Sequence, residues 1–203
     1  MRFKLPSKKI VSALGVIGSL LYVGFLFYLI PKGSVQSSTA QIAENVIASP
    51  SPEPVRQAMP ARLQILAIGV DSAIEQVGLT SDRAMDVPKN VNNIGWFDLG
   101  PRPGETGTAV IDGHYGISKG KASAFDNLYK LRKGDKIDIT DQTGAIISFI
   151  VTGNRRYDPK SEATSVFSSS DGKSHLSLIT CEGVWDDATK SYTERLVVFA
   201  DKE

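Results

Sequence analysis

Sulfur and imidazole are scarce in this chain. Its 203 residues hold one cysteine, Cys181, and two histidines, His114 and His175. A single cysteine excludes an intrachain disulfide, so stability has to come from a packed core. One thiol and two imidazoles set far apart are poor material for a zinc site, which takes three or four such ligands. Excess charge is missing too. The net charge is +1, which removes the general electrostatic reason to expect a nucleic-acid partner. No cofactor and no metal is expected.

Apolar length is not scarce at the N-terminus. Arg2, Lys4, Lys8 and Lys9 are followed by Ile10 to Ile30, 21 residues without a charge. About 20 apolar residues span a bilayer as a helix. The apolar core of a cleaved signal peptide is shorter, about 7–15 residues. The expectation is therefore an uncleaved transmembrane signal-anchor over 10–30, with Ser38-Thr39-Ala40 as a weaker cleavage alternative. Four basic residues before the span and only Lys32 near its far end put residues 1–9 in the cytoplasm and the rest outside the cell. Residues 31–60 are rich in Ser, Pro, Ala, Gln and Glu, and Ser49-Pro50-Ser51-Pro52-Glu53-Pro54 reads as an extended, semi-stiff linker.

From residue 61 to 203 the pattern is that of a folded domain. Leu63 to Val70 suits a strand buried on both faces, and Ala73 to Val77 a second short one. Thr108 to Asp112 is a strand ended by Gly113. Ala124 to Leu131 suits a helical turn that packs Phe125, Leu128 and Leu131 inward. Lys136 to Thr140 alternates, Asp141-Gln142-Thr143-Gly144 turns, and Ala145 to Tyr157 is a long strand. Residues 158–173 read as loop. Two apolar runs, Leu176 to Ile179 and Leu196 to Ala200, are the last strands, joined by a polar loop. Short strands with close turn signals imply an all-β barrel or sandwich.

Chemistry concentrates at the ends of those last strands. Cys181 closes one and Arg195 opens the other, so antiparallel pairing sets a thiol beside a guanidinium. A thiol needs a base. His175 lies six residues before Cys181, roughly 20 Å along an extended strand, so His114 is the candidate. Spacing alone leaves open a buried structural cysteine with a surface histidine and a surface arginine.

The motif Ser177-Leu178-Ile179-Thr180-Cys181, with Gly113-His114 upstream and Arg195-Leu196-Val197-Val198 downstream, resembles the sortases, cysteine transpeptidases of bacterial cell surfaces. The stretch Gly95-Trp96-Phe97, Gly100-Pro101-Arg102-Pro103-Gly104, Gly107-Thr108-Ala109-Val110 and Gly113-His114 is most similar to class F. Ser177 stands where the family usually has Thr, and Tyr115-Gly116 where class F usually has Val-Asp. The resemblance runs from about Arg62 to the C-terminus. It implies a closed sortase barrel of about eight strands with short helices.

The resemblance also implies a reaction. A C-terminal Leu-Pro-x-Thr-Gly-like sorting signal of a secreted protein is cleaved, and its acyl part is held on Cys181 as a thioester. An amine of a cell-wall peptide or a pilin lysine then takes it. His114 would serve as general acid and Arg195 as holder of substrate or oxyanion, with the Glu182 backbone N–H as a second donor and Thr180 orienting the substrate backbone. With ordinary pKa values, on the order of 1% of molecules hold the thiolate–imidazolium pair at pH 7. Glu182, Asp186, Asp187 and Glu194 could suggest calcium, as in some sortases, but a solvated acidic loop is the simpler reading. Arg155-Arg156 reads as an exposed charge pair. Two other functions stay open: another cysteine enzyme of the wall, or a non-catalytic, membrane-tethered β-domain that binds a partner. An L,D-transpeptidase would carry a Ser-x-Gly-Cys setting, and a papain-like enzyme an early cysteine on a helix; neither is present.

Overall fold

A computed structural model of the chain describes residues 57–118 and 120–203. The expected anchor over 10–30 and nearly all of the expected linker lie outside the described residues. Among the described residues no helix is long and apolar enough to cross a membrane.

Eight strands close a barrel. They are β1 (Pro60–Ile65), β2 (Val70–Val77), β3 (Ile94–Phe97), β4 (Gly107–Gly113), β7 (Lys136–Asp141), β8 (Ile146–Tyr157), β9 (Ser174–Asp186) and β10 (Ser191–Lys202). Their order around the barrel is β1-β2-β3-β4-β9-β10-β8-β7. Two neighbouring pairs, β2 with β3 and β4 with β9, are parallel, and the others are antiparallel. A two-stranded ribbon, β5 (Ile117–Ser118) and β6 (Lys121–Ala122), lies outside it. A one-turn helix, α1 (Thr164–Phe167), interrupts the stretch expected to be loop.

Alternation along the strands sorts residues to two faces. Leu63, Ile65, Ile111, Ile137, Phe149, Leu176, Leu178, Leu196 and Val198 fill the barrel. Val110, Ile179 and Val197 point outward, where Val166 and Phe167 of α1 and Phe97 of β3 cover them as a second core. Phe125, Leu128 and Leu131 close the barrel as expected, each with no exposed surface. Trp96 belongs to the barrel core and donates its indole N–H to the Pro101 carbonyl at 3.1 Å.

Three expectations change. The run from Leu63 to Val70 is not one strand: a 3-10 turn at Leu66–Ile68 and Gly69 at φ 68° reverse the chain, and Leu66 is left 87% exposed. The domain also starts before residue 61. Pro60 opens β1, the Met59 carbonyl accepts the Gln142 N–H, and the Gln57 carbonyl accepts from Arg102 Nη1. Most consequential is the stretch between Cys181 and Arg195. It is not a polar loop, because β9 and β10 continue as a two-stranded ribbon and turn only at 187–190. Val184, Trp185, Tyr192 and Thr193 are strand formers, and a ribbon with little beneath it keeps its other positions polar.

Gly113 sets how tightly the barrel closes. A Cβ built there would lie 2.5 Å from the Phe125 ring. We expect Gly113→Ala to lose about 1–3 kcal/mol, the usual range for overpacking. Urea denaturation should show Gly113→Ala/Phe125→Leu recovering part of it. No recovery would mean the glycine is needed for another reason.

Candidate active site

Three adjacent strands carry the cysteine, the arginine and, just past a strand end, the histidine. β4 runs parallel to β9 with Asp112 opposite Ile179, and β10 runs antiparallel with Arg195 opposite Cys181. Paired positions share a face, so Cys181 and Arg195 are cross-strand neighbours on the outer face, at the edge of the second core. His114 follows Gly113, the last residue of β4, two residues beyond the Asp112–Ile179 pair.

Each member is fixed by its surroundings. His114 is half-buried, and its Nε2 lies 2.9 Å from the Pro88 carbonyl oxygen. A carbonyl only accepts, so Nε2 carries the hydrogen and Nδ1 is the nitrogen left to exchange a proton. Tyr115, the residue where the class F pattern departs, packs edge-on against Tyr192 at 5.2 Å, and Tyr192 against Trp185 at 5.3 Å. This aromatic ladder ties the loop after His114 to the ribbon that carries Arg195.

Arg195 is 2% exposed, the largest fully buried side chain of the described residues. Its Nη1 donates to the carbonyls of Tyr192 and Glu194 at 3.0 and 2.9 Å, and its Nη2 to Ser191 Oγ at 3.0 Å. A guanidinium has five N–H donors. Three are spent locally and two are not, and Nε has no partner. Arg195 also borders a cavity of about 810 Å³ lined in part by Lys160, Asp186, Ser191 and Tyr192.

Cys181 is partly buried. Burial pushes its thiol above the ordinary cysteine range, the Arg195 guanidinium pulls it down, and the Asp112 carboxyl adds to the push. The site therefore holds a neutral thiol at rest, and the thiolate needs the imidazole to receive the proton.

Of the two supporting residues, Thr180 is placed differently from expectation. Thr180 alternates with Cys181, faces inward, and donates its hydroxyl to the Gly113 carbonyl at 2.8 Å. It braces the strand that carries His114, and its side chain does not face the groove. The Glu182 carboxylate pairs with Arg156 at 2.6 Å, and Glu194 lies 3.7 Å from the same guanidinium. Arg156 is thus engaged with the ribbon, whereas Arg155 stacks over the Tyr157 ring at 5.1 Å. Among the described residues no three histidine, cysteine, aspartate or glutamate side chains are grouped to hold a metal. His175 stands far along β9 from Cys181 and is clamped between Asp171 and Asp201.

One residue escaped the sequence reading. Asp112 is 1% exposed, on the outer face one row from Cys181, and neither of its oxygens has a hydrogen-bond partner. Its carboxyl lies over Gly95, where a side chain would collide with it. A lone carboxylate directly after the apolar run 109–111 was the available signal. Burial drives the Asp112 pKa well above the ordinary carboxylate range.

Such an acid binds more protons folded than unfolded, so stability falls as pH rises from about 3.9, the unfolded value, towards the folded one. Asp112→Asn cannot titrate. Its melting temperature relative to wild type should therefore gain more at pH 7.5 than at pH 4, by at least about 2 °C, the shift that 1 kcal/mol gives in a domain of this size. Parallel curves for the two proteins would contradict the burial argument.

A thiol paired across strands with a guanidinium, beside a strand that ends just before an imidazole, on a closed β-barrel suits cysteine acyl transfer. A scan against protein-family models matches the sortase domain over residues 63–203. The chain belongs to the sortase family and is a cysteine transpeptidase. Among solved structures it is similar to sortase C-1 of Actinomyces oris, with 26% identity, 70% of this chain and 73% of that one covered, and a TM-score of 0.57. It is similar to sortase A of Corynebacterium diphtheriae at 27% identity, covering 73% and 61%, TM-score 0.55. A Clostridium perfringens sortase D5 transpeptidase matches at 28% identity, covering 71% and 79%, TM-score 0.53. These are of classes C, A and D, so they support the family and not the class F subdivision. A search of curated protein sequences finds no match.

Proposed function

We propose that the chain is a membrane-anchored sortase. It cleaves a C-terminal Leu-Pro-x-Thr-Gly-like signal of a secreted protein and passes the acyl group to an amine of the cell wall or a pilin. The observation that carries this reading is the cross-strand pair of Cys181 and Arg195, next to strand β4, which ends at Gly113 just before His114.

His114 Nδ1 takes the proton as Cys181 Sγ attacks the threonine carbonyl carbon. The carbonyl oxygen becomes an oxyanion, facing the two unspent N–H donors of Arg195 and the Glu182 backbone N–H. The C–N bond breaks, and the imidazolium gives its proton to the departing glycine nitrogen. A thioester stays on Cys181. An incoming amine attacks it, loses a proton to His114, and leaves an amide and a regenerated thiol. The raised thiol pKa makes His114 necessary in the first step as well as the second.

Turnover of a Leu-Pro-x-Thr-Gly peptide with an amine acceptor tests the roles. Cys181→Ala should abolish cleavage and the acyl adduct seen by intact-mass spectrometry. His114→Ala should lose 10²–10⁴-fold, roughly the worth of general acid–base catalysis. Arg195→Lys keeps the charge but not the fork of donors, and should lose on the order of 10²–10³-fold. Its Cys181 should still react with a small alkylating agent. Normal turnover by folded Arg195→Lys would reduce the arginine to a structural part.

The membrane anchor is proposed from Ile10 to Ile30 and its basic flank. Protease added to wall-stripped cells should digest the domain and spare a short N-terminal stub. A fully protected domain would sink this topology.

A further inference from the structure

We propose that the face carrying Cys181 holds a second binding site at its far end, which takes a neutral, hydroxyl-rich saccharide ring. The face is built of rows. Above the row of Cys181 lies Asp112, Ile179 and Val197, then Val110, Ser177 and Phe199, then Thr108, His175 and Asp201. Ser177, Phe199, Thr108, His175 and Asp201 of the last two rows floor a cavity of about 490 Å³, walled by serines 165, 168, 169 and 170 and by Asp171. That volume lies in the range of small-molecule sites, about 300–1,000 Å³. Ser177 and Cys181 are four residues apart on one strand, about 13 Å. Between them Ile179 and Val197 are sealed beneath α1. The cavity is therefore not an arm of the catalytic groove.

Ser177 is the observation that calls for a ligand. It has no exposed surface, it lines the cavity, and its Oγ has no hydrogen-bond partner. A buried hydroxyl left unpaired costs about 1–3 kcal/mol. A ligand hydroxyl can both donate to it and accept from it.

The rim decides the charge of that ligand. His175 Nδ1 lies 2.7 Å from Asp201 Oδ1, and its Nε2 lies 2.9 Å from Asp171 Oδ1. Both nitrogens face carboxylates, so both carry hydrogen and the ring is an imidazolium. Its pKa is raised, with the Asp171 contact the largest cause. Two carboxylates and one imidazolium sum to one negative charge. Phosphates and carboxylates are repelled, while the carboxylate lone pairs left over accept ligand hydroxyls. The Phe199 ring supplies an apolar strip of floor. An apolar strip ringed by fixed acceptors and hydroxyls matches a pyranose, which has C–H faces and hydroxyl edges.

The full-length protein, purified in detergent, is titrated with chitotriose and with cellotriose by calorimetry and saturation-transfer NMR. At least one should bind saturably. Its Kd should rise fivefold or more in Ser177→Ala and in Phe199→Leu. It should be unchanged in Cys181→Ala and in the presence of saturating sorting peptide. Ser177→Ala removes only the unpaired hydroxyl, so it stays informative should Phe199→Leu misfold. Saturation by neither sugar overturns the proposal. So does a Kd indifferent to Ser177→Ala, or competition by the sorting peptide.

Discussion

The parallel pairing of β4 with β9 is the constraint on which the site depends. Parallel neighbours cannot be joined by a tight turn, so residues 114–173 form the long crossover between the two strands. Their register is held from both sides. Thr180 bonds the Gly113 carbonyl from within the barrel, and Val110 and Ile179 pack together under α1 outside it. A slip of one residue would carry Cys181 inward and bring Thr180 out. Nucleophile and base are thus aligned by the same contacts that close the core.

Burial does two opposing things at this rim. It strengthens the fields of Arg195 and His114 by excluding water, and it penalises the thiolate they are meant to stabilise. The protein accepts the penalty. It keeps the thiol neutral and sets Asp112, a carboxyl with no partner, one row away. Arg195 is likewise buried with donors unspent, although its own ribbon supplies three acceptors.

Much of this was legible in the chain. The strand from Thr108, the inward turn of Phe125, Leu128 and Leu131, the long strand to Tyr157 and the pairing of Cys181 with Arg195 follow from apolar period and turn residues. The ribbon beyond Cys181 was not, because exposed strands carry the same polar residues as loops, and only the stacking of Trp185 on Tyr192 separates them. The reversal at Leu66 was hidden in an apolar run whose period cannot say where it turns. Thr180 and Cys181 are adjacent in the motif, yet their side chains serve opposite faces. Asp112 was passed over because a carboxylate at a strand end reads as solvent-facing until the neighbouring sheet is known.

The irregular pairing between Tyr192 and Glu194 divides the ribbon from the barrel. On the barrel side β9 and β10 keep one register from Glu194–Glu182 to Asp201–His175, and an insertion there would invert every side chain that follows. On the far side Ser191 and Tyr192 still hold Arg195, and Tyr192 packs on Tyr115, so only the turn at 187–190, pinned by Asp186 and Asp187, is spare. A change of length confined to that turn leaves Arg195 in place. The protein has one place where its reach over the groove can drift in length across generations while its chemistry stays in register.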